Sequence, residues 1–373
     1  MKKIIFLGID VDDKAFHATA ILGEGKKEQV MQFKTKPSVS ALKSKLQKYI
    51  DEGSKVKACY EATYIGFNLA RDLKDLGIDC EVIAPSSVPR APGQTAKTDR
   101  IDSGKLAKYY KNGLLTVVNV PDEKAEHVRN IVRSRMFLAQ QLKDLKRHIL
   151  STCRRGRLDY RKSVEFKNPA FFTNLHMQWL ETELNKSEFE ELQFNIKMLL
   201  SEMRQLELQI SKYDDEILRY SEMPEYKKKV EALACYRGLD VLGSMSLITE
   251  LGDIRRFDHP TKLASYAGMD LREYSSGGRE RKYGISKMGN RRIRTTAIEA
   301  CQRAYKIPII SKRLKARREK TEPKFIEIAD RCMKRLHKKS TRMIFAGKPI
   351  NKVKVAVARE LLCFVWESLR VAA

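Results

Sequence analysis

The stretch KIIFLGIDVDDKAFHATAIL, residues 3–22, decides the fold of the N-terminal part of the chain. Its two apolar runs, KIIFLGIDV and HATAIL, predict two strands, and EQVMQF at residues 28–33 predicts a third. Further along, helices and strands alternate. The predicted helices are SALKSKLQKYI, IGFNLARDLKDLG, which ends at Gly77, and TDRIDSGKLAKYY, which begins at Thr98. The predicted strands between them are VKACYEA and CEVIAPS. Three adjacent strands followed by alternating helices and strands predict a mixed α/β sheet covered by helices over residues 1–120. No glycine-rich phosphate loop follows the first strand, so the pattern does not indicate a Rossmann fold.

A charged helical region follows Pro121 and extends from residue 121 to about 225. Its best-defined part has apolar residues at alternating spacings of four and three, which predicts a coiled-coil seam of about four heptads. The residues of this seam are Leu192, Ile196, Leu199, Met203, Leu206, Ile210, Tyr213, Ile217 and Tyr220. A shorter, earlier seam consists of Ile131, Leu138, Leu142, Leu145 and Ile149. The seams fit two interpretations equally: a helical hairpin within one chain, or an arm that joins copies into a dimer or tetramer.

The C-terminal part, residues 226–373, is predicted to be a mainly α domain. It is punctuated by glycines to about residue 305 and strongly basic over residues 306–345. The segment VKVAVARELLCFVWESL, residues 353–369, predicts an amphipathic helix that caps the fold, with Trp366 in the core. The predicted fold class is therefore an α/β domain, a long helical insertion and a mainly α domain.

The composition indicates a globular protein whose partner is a polyanion. The hydrophobic fraction is 42%, and the formal net charge is +26. Repulsion among so many positive charges is tolerable when the partner is nucleic acid, and a basic membrane-surface protein is the rival class.

The sequence also bears on localisation. No stretch approaches the roughly 20 apolar residues of a spanning helix. Lys2 and Lys3 begin a sequence like that of a signal peptide, but Asp10 interrupts it. Seven dispersed cysteines without zinc-ligand spacing indicate reduced thiols. We therefore expect a cytoplasmic, nucleoid-associated protein.

Four acidic residues stand where predicted elements end or begin. Asp10 ends the first strand, Glu61 ends the fourth, and Asp99 and Asp102 lie three residues apart at a helix start, hence on one helix face. A carboxylate at the end of an apolar strand is costly to desolvate unless it is paired or binds a cation. Each acid alone also fits a turn, a surface charge or a favourable helix start. Together, in so basic a protein, they predict a site for Mg²⁺ or Mn²⁺, which prefer oxygen ligands.

The stretch SSGGRERKYGISKMGN, residues 275–290, combines two hydroxyl residues, two glycines and several cations. A serine hydroxyl is a poor nucleophile at neutral pH and needs a base, a metal or a cationic cradle. The glycines give room for the close approach of a phosphate backbone, and the cations could neutralise it. The predicted nucleic-acid-binding residues are Arg279, Arg281, Lys282, Lys287, Arg291, Arg292 and Arg294. Residues 274–278 are predicted to form a turn, and composition alone favours a solvated loop over SSGG, residues 275–278, without a reactive serine.

The N-terminal motifs resemble those of a known family. GIDVDDKAFHATAIL, YEATYIGFNLARDL and VIAPSSVPRAPGQTAKTDRIDSGKLAKYY are similar to the three blocks of the DEDD-type insertion-sequence transposases. These enzymes have a RuvC-like domain of the RNase H type and are related to the Piv DNA invertases. The resemblance implies that Asp10, Glu61, Asp99 and Asp102 are the catalytic, metal-binding acids. Ser103 departs from the family pattern, which usually has alanine there.

The C-terminal motifs continue the resemblance. LACYRGLDVLGSMSLITELGDIRRFDHPTKLASYAGMD and SSGGRERKYGISKMGNRRIRTTAIEA are similar to the second transposase domain of the same family. Residues 238–243 resemble a helix-hairpin-helix DNA-binding turn but lack its usual glycine spacing. In the family the motif serine precedes a glycine, which implies that Ser276 is the nucleophile, with Ser275 as the alternative. Tyr274 and Tyr283 leave a tyrosine-recombinase chemistry open.

The resemblance predicts a DNA recombinase that moves or inverts a mobile element through a phosphoserine intermediate. It also implies a structured noncoding guide RNA and a composite active site built from the acids and Ser276. Two rival functions stay open on the sequence. One is a hydrolytic metal nuclease of the Holliday-junction type, in which Ser276 is a loop residue, and the other is a non-catalytic nucleic-acid scaffold.

Overall fold

A computed structural model describes residues 4–23, 28–85, 88–89, 99–164, 169–276 and 279–373. The chain forms two compact units, residues 1–121 and 122–373. The helical region predicted as a domain of its own lies within the second unit, and its separation at residue 225 remains a prediction. Each unit is described by itself.

The first unit is built around a six-stranded mixed sheet. Its elements are β1 (Ile4–Val11), β2 (Phe16–Leu22), β3 (Gln29–Thr35), α1 (Val39–Asp51), β4 (Lys55–Glu61), α2 (Asn68–Asp75), β5 (Asp79–Ile83), α3 (Asp99–Lys111) and β6 (Val117–Val118). The strand order is β3-β2-β1-β4-β5-β6. The β1–β4 and β4–β5 pairs are parallel, and the other pairs are antiparallel. The predicted mixed sheet covered by helices is therefore confirmed.

The central strand β1 is buried on both faces, which explains its nearly continuous apolar sequence. Ile5, Leu7 and Ile9 alternate along β1 and pack with the leucines of α1 and α2 on one face of the sheet. Phe6 lies on the opposite face, where its ring meets that of Tyr110 of α3 edge to face at a centroid distance of 5.9 Å. The helices therefore lie on the two faces of the sheet, α1 and α2 on one and α3 on the other.

The described residues of the second unit form helices and one β-hairpin. Its elements are α4 (Glu123–Arg155), α5 (Tyr160–Ser163), α6 (Asn174–Lys186), α7 (Glu190–Ser221), α8 (Pro224–Ala234), α9 (Val241–Leu251), α10 (Pro260–Tyr266), β7 (Leu271–Ser276), β8 (Arg279–Ile285), α11 (Arg291–Ala300), α12 (Lys312–Arg318), α13 (Pro323–Phe345) and α14 (Ile350–Ala372). The turn predicted over residues 274–278 is wrong at Tyr274, Ser275 and Ser276, which belong to β7. Its remaining residues, Gly277 and Gly278, lie outside the described part of the chain. Charged, hydroxyl-rich strands lack the apolar alternation by which strands are recognised in a sequence.

The two long helices α4 and α7 pack against each other in antiparallel directions within the chain. Arg135 of α4 forms two hydrogen bonds with Asp214 of α7, and Lys146 bonds Glu207 at 2.6 Å. The seam residues Ile149 and Ile196 are buried in a cluster to which α6 also contributes. The predicted seams therefore meet in a helical hairpin. A coiled coil between two copies remains a separate prediction.

The last helix, α14, packs into the main core of the second unit. Trp366 contacts this core, and its indole N–H donates to the carbonyl oxygen of Phe257 at 2.8 Å. The expected core role of Trp366 is thus observed. Within the described ranges, no helix has both the length and the apolar character needed to cross a bilayer.

Candidate active site

Asp10 and Glu61 occupy neighbouring positions where two parallel strands end. Ile9 of β1 pairs with Tyr60 of β4, so the next residue on each strand is Asp10 on one and Glu61 on the other. Adjacent strands lie about 4.8 Å apart, and paired residues point to the same face of a sheet. Both side chains are half-buried. The fold therefore brings together two of the four predicted acids.

The helix α3 covers the sheet face that carries these two acids. Gly8 precedes Asp10 by two residues and so lies on the same face. A Cβ atom on Gly8 would lie 2.4 Å from the backbone N of Ala107 and 2.4 Å from the carbonyl oxygen of Ser103. Next to this contact, the hydroxyls of Ser103 and Thr19 are buried and share a hydrogen bond of 2.9 Å. Only glycine lets α3 approach β1 this closely.

The contacts along α3 also fix its direction. Tyr110, near the C-terminal end of α3, meets Phe6, whereas Ser103, one turn into the helix, meets Gly8. Moving towards the start of α3 therefore means moving towards Asp10 at the end of β1. The first turn of α3 is therefore directed to the C-terminal ends of β1 and β4, where Asp10 and Glu61 lie.

Substituting Gly8 with Ala is expected to destabilise the first unit by about 3 kcal/mol, because the added methyl group meets rigid backbone atoms. Both tryptophans of the chain, Trp179 and Trp366, lie in the second unit. A lower urea midpoint in far-UV circular dichroism, together with an unchanged urea midpoint in tryptophan fluorescence, would show that the effect is confined to the first unit.

Gly104 provides a matched control for this substitution, since it lies on α3, the helix that packs against Gly8. A Cβ atom there meets its nearest neighbour at an ordinary 3.6 Å. Gly104→Ala should therefore be neutral or stabilise α3 by up to about 1 kcal/mol through helix propensity. Equal stability of the two variants would contradict the close packing of α3 on β1.

Asp99 and Asp102 lie in the first turn of α3. Asp99 is its first residue, and its side chain falls outside the described part of the chain. Asp102 is half-buried, and its Oδ1 lies 3.7 Å from Nζ of Lys105. Among the side chains that the structure describes, no three His, Cys, Asp or Glu residues are close enough to hold a metal ion.

The donor set nevertheless fits a hard divalent cation. All four predicted ligands are carboxylates, and the two strand-end acids share a face with each other and with the start of α3. Oxygen donors of this kind are those that Mg²⁺ and Mn²⁺ prefer. The placement of the side chains of Asp10, Glu61, Asp99 and Asp102 around Mg²⁺ or Mn²⁺ remains a prediction.

His17 is a neighbour of this site that the sequence analysis did not single out. It pairs directly with Asp10 across the β1–β2 hairpin and lines a pocket of about 300 Å³ beside α3. The four-residue connection between Val11 and Phe16 fixes this register. A short turn between the two predicted strands would have indicated His17, because the resulting register places it opposite Asp10.

In the second unit, Ser276 ends strand β7. Ser276 pairs with Arg279 and Ser275 with Glu280 across the β7–β8 hairpin. Gly277 and Gly278, and the side chains of residues 274–276 and 279–282, lie outside the described part. The predicted nucleophile and the predicted cations Arg279, Arg281 and Lys282 therefore belong to one hairpin.

The segment after the hairpin is held closely against the end of α10. The backbone N–H of Lys287 donates to the carbonyl oxygen of Gly268 at 2.9 Å, and that of Asn290 donates to Tyr266 at 2.7 Å. Gly289 has a φ of +146°, and a Cβ atom there would lie 2.4 Å from the Tyr266 carbonyl oxygen. This contact fixes the path of the chain from the hairpin to α11.

A buried carboxylate, Glu250 of α9, anchors the start of α11. Asn290 caps α11 by accepting from the backbone N–H of Arg292, and its Nδ2 donates to Oε2 of Glu250 at 2.6 Å. Arg133 of α4 donates to both oxygens of Glu250, at 2.6 and 2.9 Å. Glu250 is only 3% exposed. One carboxylate thus connects α4, α9 and α11.

The hydrogen bonds determine the charge of Glu250. Burial alone would raise the pKa of its carboxyl group, but hydrogen bonds from Arg133 and Asn290 and the charge of Arg133 outweigh burial. The pKa is therefore lowered from its ordinary value of 4.5. The carboxylate is ionised at neutral pH.

Two parts of the chain, one containing the predicted acids and one containing Ser276, match models of one family of known proteins. Residues 7–155 match the DEDD model of IS110 type, described as "Transposase", and residues 228–315 match "Transposase IS116/IS110/IS902 family". The "Putative transposase y4qE" of Sinorhizobium fredii is 32% identical over 98% of this chain and 89% of its own length. The chain belongs to the IS110/IS116 family of insertion-sequence transposases.

Two further relatives extend this comparison to other bacteria. The "Transposase for insertion sequence element IS1533" of Leptospira borgpetersenii is 27% identical over 91% of this chain and 96% of its own length. The "Transposase for insertion sequence element IS1111A" of Coxiella burnetii is 24% identical over 81% and 78%, respectively. The DEDD-type domain of the transposase implies an RNase H-like fold for its first unit and dependence on a divalent metal, typically Mg²⁺.

The remaining predicted DNA-binding residues of the transposase differ in their surroundings. Lys287 and Arg291 are exposed. Arg292 has its Nε 3.8 Å from Oε1 of Glu250, and Arg294 donates from Nη1 to the carbonyl oxygen of Ala267 at 2.7 Å. Phosphate contacts by Arg292 and Arg294 remain predictions, although both residues also have partners within the fold.

The basic segment of the transposase is partly structural. Arg317 of α12 donates to the carbonyl oxygens of Ala234 and Leu239, and Arg318 donates to that of Cys235. These arginines satisfy backbone groups at and just beyond the end of α8. On α13, three more cations form ion pairs with α14. They are Arg331 with Glu367, and Arg335 and Lys339 with Glu360.

Proposed function

We propose that this transposase cuts and rejoins DNA strands through a covalent phosphoserine intermediate. The metal-dependent part of the proposal is carried by the adjacency of Asp10 and Glu61 at the strand ends towards which the first turn of α3 is directed. The role of Ser276 is supported by its pairing with Arg279 in the β7–β8 hairpin. Membership of the IS110/IS116 family supports it, because the matched DEDD-type region, residues 7–155, contains all four of these acids.

In the proposed reaction, the Ser276 hydroxyl oxygen attacks a phosphorus atom of the DNA backbone. A bond from this oxygen to phosphorus forms as the bond from phosphorus to the departing DNA oxygen breaks. The serine proton is transferred, in net terms, to the departing oxygen. Because the phosphodiester energy is retained in the protein–DNA bond, the reverse step with a second DNA end rejoins the strands without ATP.

The four carboxylates, from Asp10, Glu61, Asp99 and Asp102, are proposed to hold Mg²⁺ or Mn²⁺. When bound, these ions polarise the scissile phosphate and stabilise the charge that develops on its oxygens. The cations of β8 and of the start of α11 are proposed to bind the neighbouring phosphates and orient the strand.

Hydrolysis is the second candidate, because a DEDD-type site is typical of metal-dependent nucleases. In that reaction water is the nucleophile and Ser276 has no chemical role. The two candidates differ in one product, since only the serine reaction joins protein to DNA.

The test uses a nicked DNA substrate that carries the ends of the insertion sequence and a label. After denaturation, we expect labelled DNA to migrate with the wild-type protein and with Ser275→Ala, but not with Ser276→Ala. Free cut ends from Ser276→Ala at the wild-type rate would overturn the serine mechanism and establish hydrolysis. Loss of the adduct in Ser275→Ala alone would reassign the nucleophile.

A structured noncoding RNA is proposed to select the DNA targets. The support is the net charge of +26 together with exposed cations such as Lys287 and Arg291. A discrete RNA encoded beside the transposase gene should co-purify with the protein. Unchanged target choice after RNase treatment would contradict this role.

Assembly into a dimer or tetramer is proposed to use the outer surface of the α4–α7 hairpin. Phe137 on α4 and Phe194, Met198 and Leu208 on α7 are exposed there, away from the intrachain seam. Analytical ultracentrifugation of a Phe194→Glu, Met198→Glu variant tests this. An oligomeric state identical to that of the wild type would exclude this surface.

A further inference from the structure

The turn between α13 and α14 protrudes beyond the core that these two helices share. The last buried residue of α13 is Ser340 and the first buried residue of α14 is Val353. None of the residues 341–352 is buried, although both helices continue into this segment. The turn therefore contributes little to the packing of the second unit.

The tip of this turn presents an aromatic ring to solvent. Phe345, the last residue of α13, is 87% exposed, the highest value among the large apolar side chains that the structure describes. Ile344 before it and Ile350 after the turn are also exposed. A phenylalanine so placed gains no burial free energy from the fold. Single exposed apolar residues are common, so the surroundings of the ring decide its interpretation.

The surroundings are strongly cationic. The 29 residues from Arg331 to Arg359 include ten Lys or Arg and no Asp or Glu. The cations nearest the core are paired with the acids of α14, as described above. The cations around the tip are exposed, and they are Lys338, Arg342, Lys348 and Lys352. The tip therefore combines an aromatic face with several positive charges and lacks acidic residues in its own sequence.

We propose that this tip, residues 341–352, binds unpaired bases of the DNA on which the transposase acts. Phe345 stacks on an exposed base, and the four cations hold the flanking phosphates. Stacking requires a base whose face is free, and opening or cutting of a duplex exposes such faces. The positive charge favours a nucleic acid over an apolar protein partner by charge complementarity. The proposal rests on the DNA-processing activity of the family but not on the serine mechanism.

The experiment measures binding of the full-length protein to two DNAs of one sequence. One is fully paired, and the other has a four-base bubble containing 2-aminopurine. All proteins carry Ser276→Ala, and binding is measured with EDTA and without Mg²⁺ or Mn²⁺, so that neither covalent attachment nor metal-dependent hydrolysis contributes. Failure of the phosphoserine mechanism would therefore leave this binding assay intact.

Phe345→Ala is expected to lower affinity for bubble DNA about 5- to 150-fold, the range of aromatic–base stacking, and to abolish quenching of 2-aminopurine. Its affinity for paired DNA should be nearly unchanged. Phe345→Trp should retain both the affinity and the quenching. Lys348→Ala should weaken binding to both DNAs and reduce the salt slope by about 1.

Phe189→Ala is the matched control. Phe189 is exposed like Phe345, but Glu188, Glu190 and Glu191 flank it in the sequence. Its removal should leave both affinities unchanged. Wild-type binding and quenching by Phe345→Ala would overturn the proposal. An equal loss on both DNAs, a loss confined to an RNA of the same sequence, or a loss confined to anionic lipid vesicles would also overturn it.

Discussion

Asp10→Asn is expected to reduce DNA cleavage by roughly 10³-fold or more while the protein stays folded. A divalent ion at a phosphoryl-transfer site supplies several kcal/mol of transition-state stabilisation, and each 1.36 kcal/mol corresponds to a tenfold change in rate. Asp10 lies next to Glu61 at the strand ends, so its loss removes a central ligand of the proposed site. DNA binding should be equal or tighter, because one negative charge near the phosphates is removed.

Asp12→Asn is the matched control for Asp10→Asn. Asp12 lies two residues away in the β1–β2 turn, is exposed, and accepts a hydrogen bond from the backbone N–H of Lys14. Asparagine can accept the same bond, so full cleavage activity is expected. The measurement is single-turnover cleavage of labelled DNA in Mg²⁺. If Asp10→Asn cleaved at the wild-type rate, the sheet edge would not be the active site.

Glu250→Ala is expected to destabilise the second unit by about 3–5 kcal/mol, the typical cost of removing one partner from a buried ion pair. Its removal leaves Arg133 without its carboxylate and the side chain of Asn290 without its acceptor. Such a loss is a large fraction of the 5–15 kcal/mol by which proteins are usually stable. Urea unfolding followed by tryptophan fluorescence measures it, since both tryptophans lie in this unit.

The exposed pair Lys227–Glu222 provides the comparison for Glu250. Its side chains are 54% and 72% exposed at a distance of 3.2 Å. Glu222→Ala should therefore change the free energy of unfolding by no more than about 0.5 kcal/mol. Comparable effects of Glu250→Ala and Glu222→Ala would show that Glu250 does not organise the unit.

The same carboxylate predicts how stability depends on pH. The pKa of Glu250 is lowered in the folded state, so its contribution is fully present above the ordinary value of 4.5. The contribution is lost as the pH falls from 4.5 through the folded-state pKa. Glu250→Gln should be less stable than the wild type at pH 7, and the difference should shrink below pH 4.5.

The local patterns predicted β1 to β5, α1 to α3, the seams of α4 and α7, and α14, because amphipathic periodicity is a property of short segments. β6 was missed, since two residues carry no periodicity, and β7–β8 was missed because its strands are charged. The pairing of Ser276 with Arg279 depends on how the two strands meet, which their own patterns do not specify.

The candidate site was predictable in part. The motif acids Asp10 and Glu61 could be found in the sequence, and the order of the strands explains why they adjoin. The contact of Gly8 with α3 could not be found, because a glycine in a strand does not reveal which helix approaches it. Only one feature of the sequence indicated a buried Glu250, namely that it is the single acidic residue in the apolar helix α9. Its partners come from distant parts of the chain.

The arginines of α12 have a consequence for how alanine scans of this protein should be interpreted. Arg317→Ala frees the backbone carbonyls of Ala234 and Leu239, so it would lower the fraction of active molecules. The apparent affinity for DNA would then fall at every salt concentration without a change in the slope against log salt. Loss of a true phosphate contact would change that slope by about one. A salt titration therefore separates arginines that hold the fold from those that touch DNA.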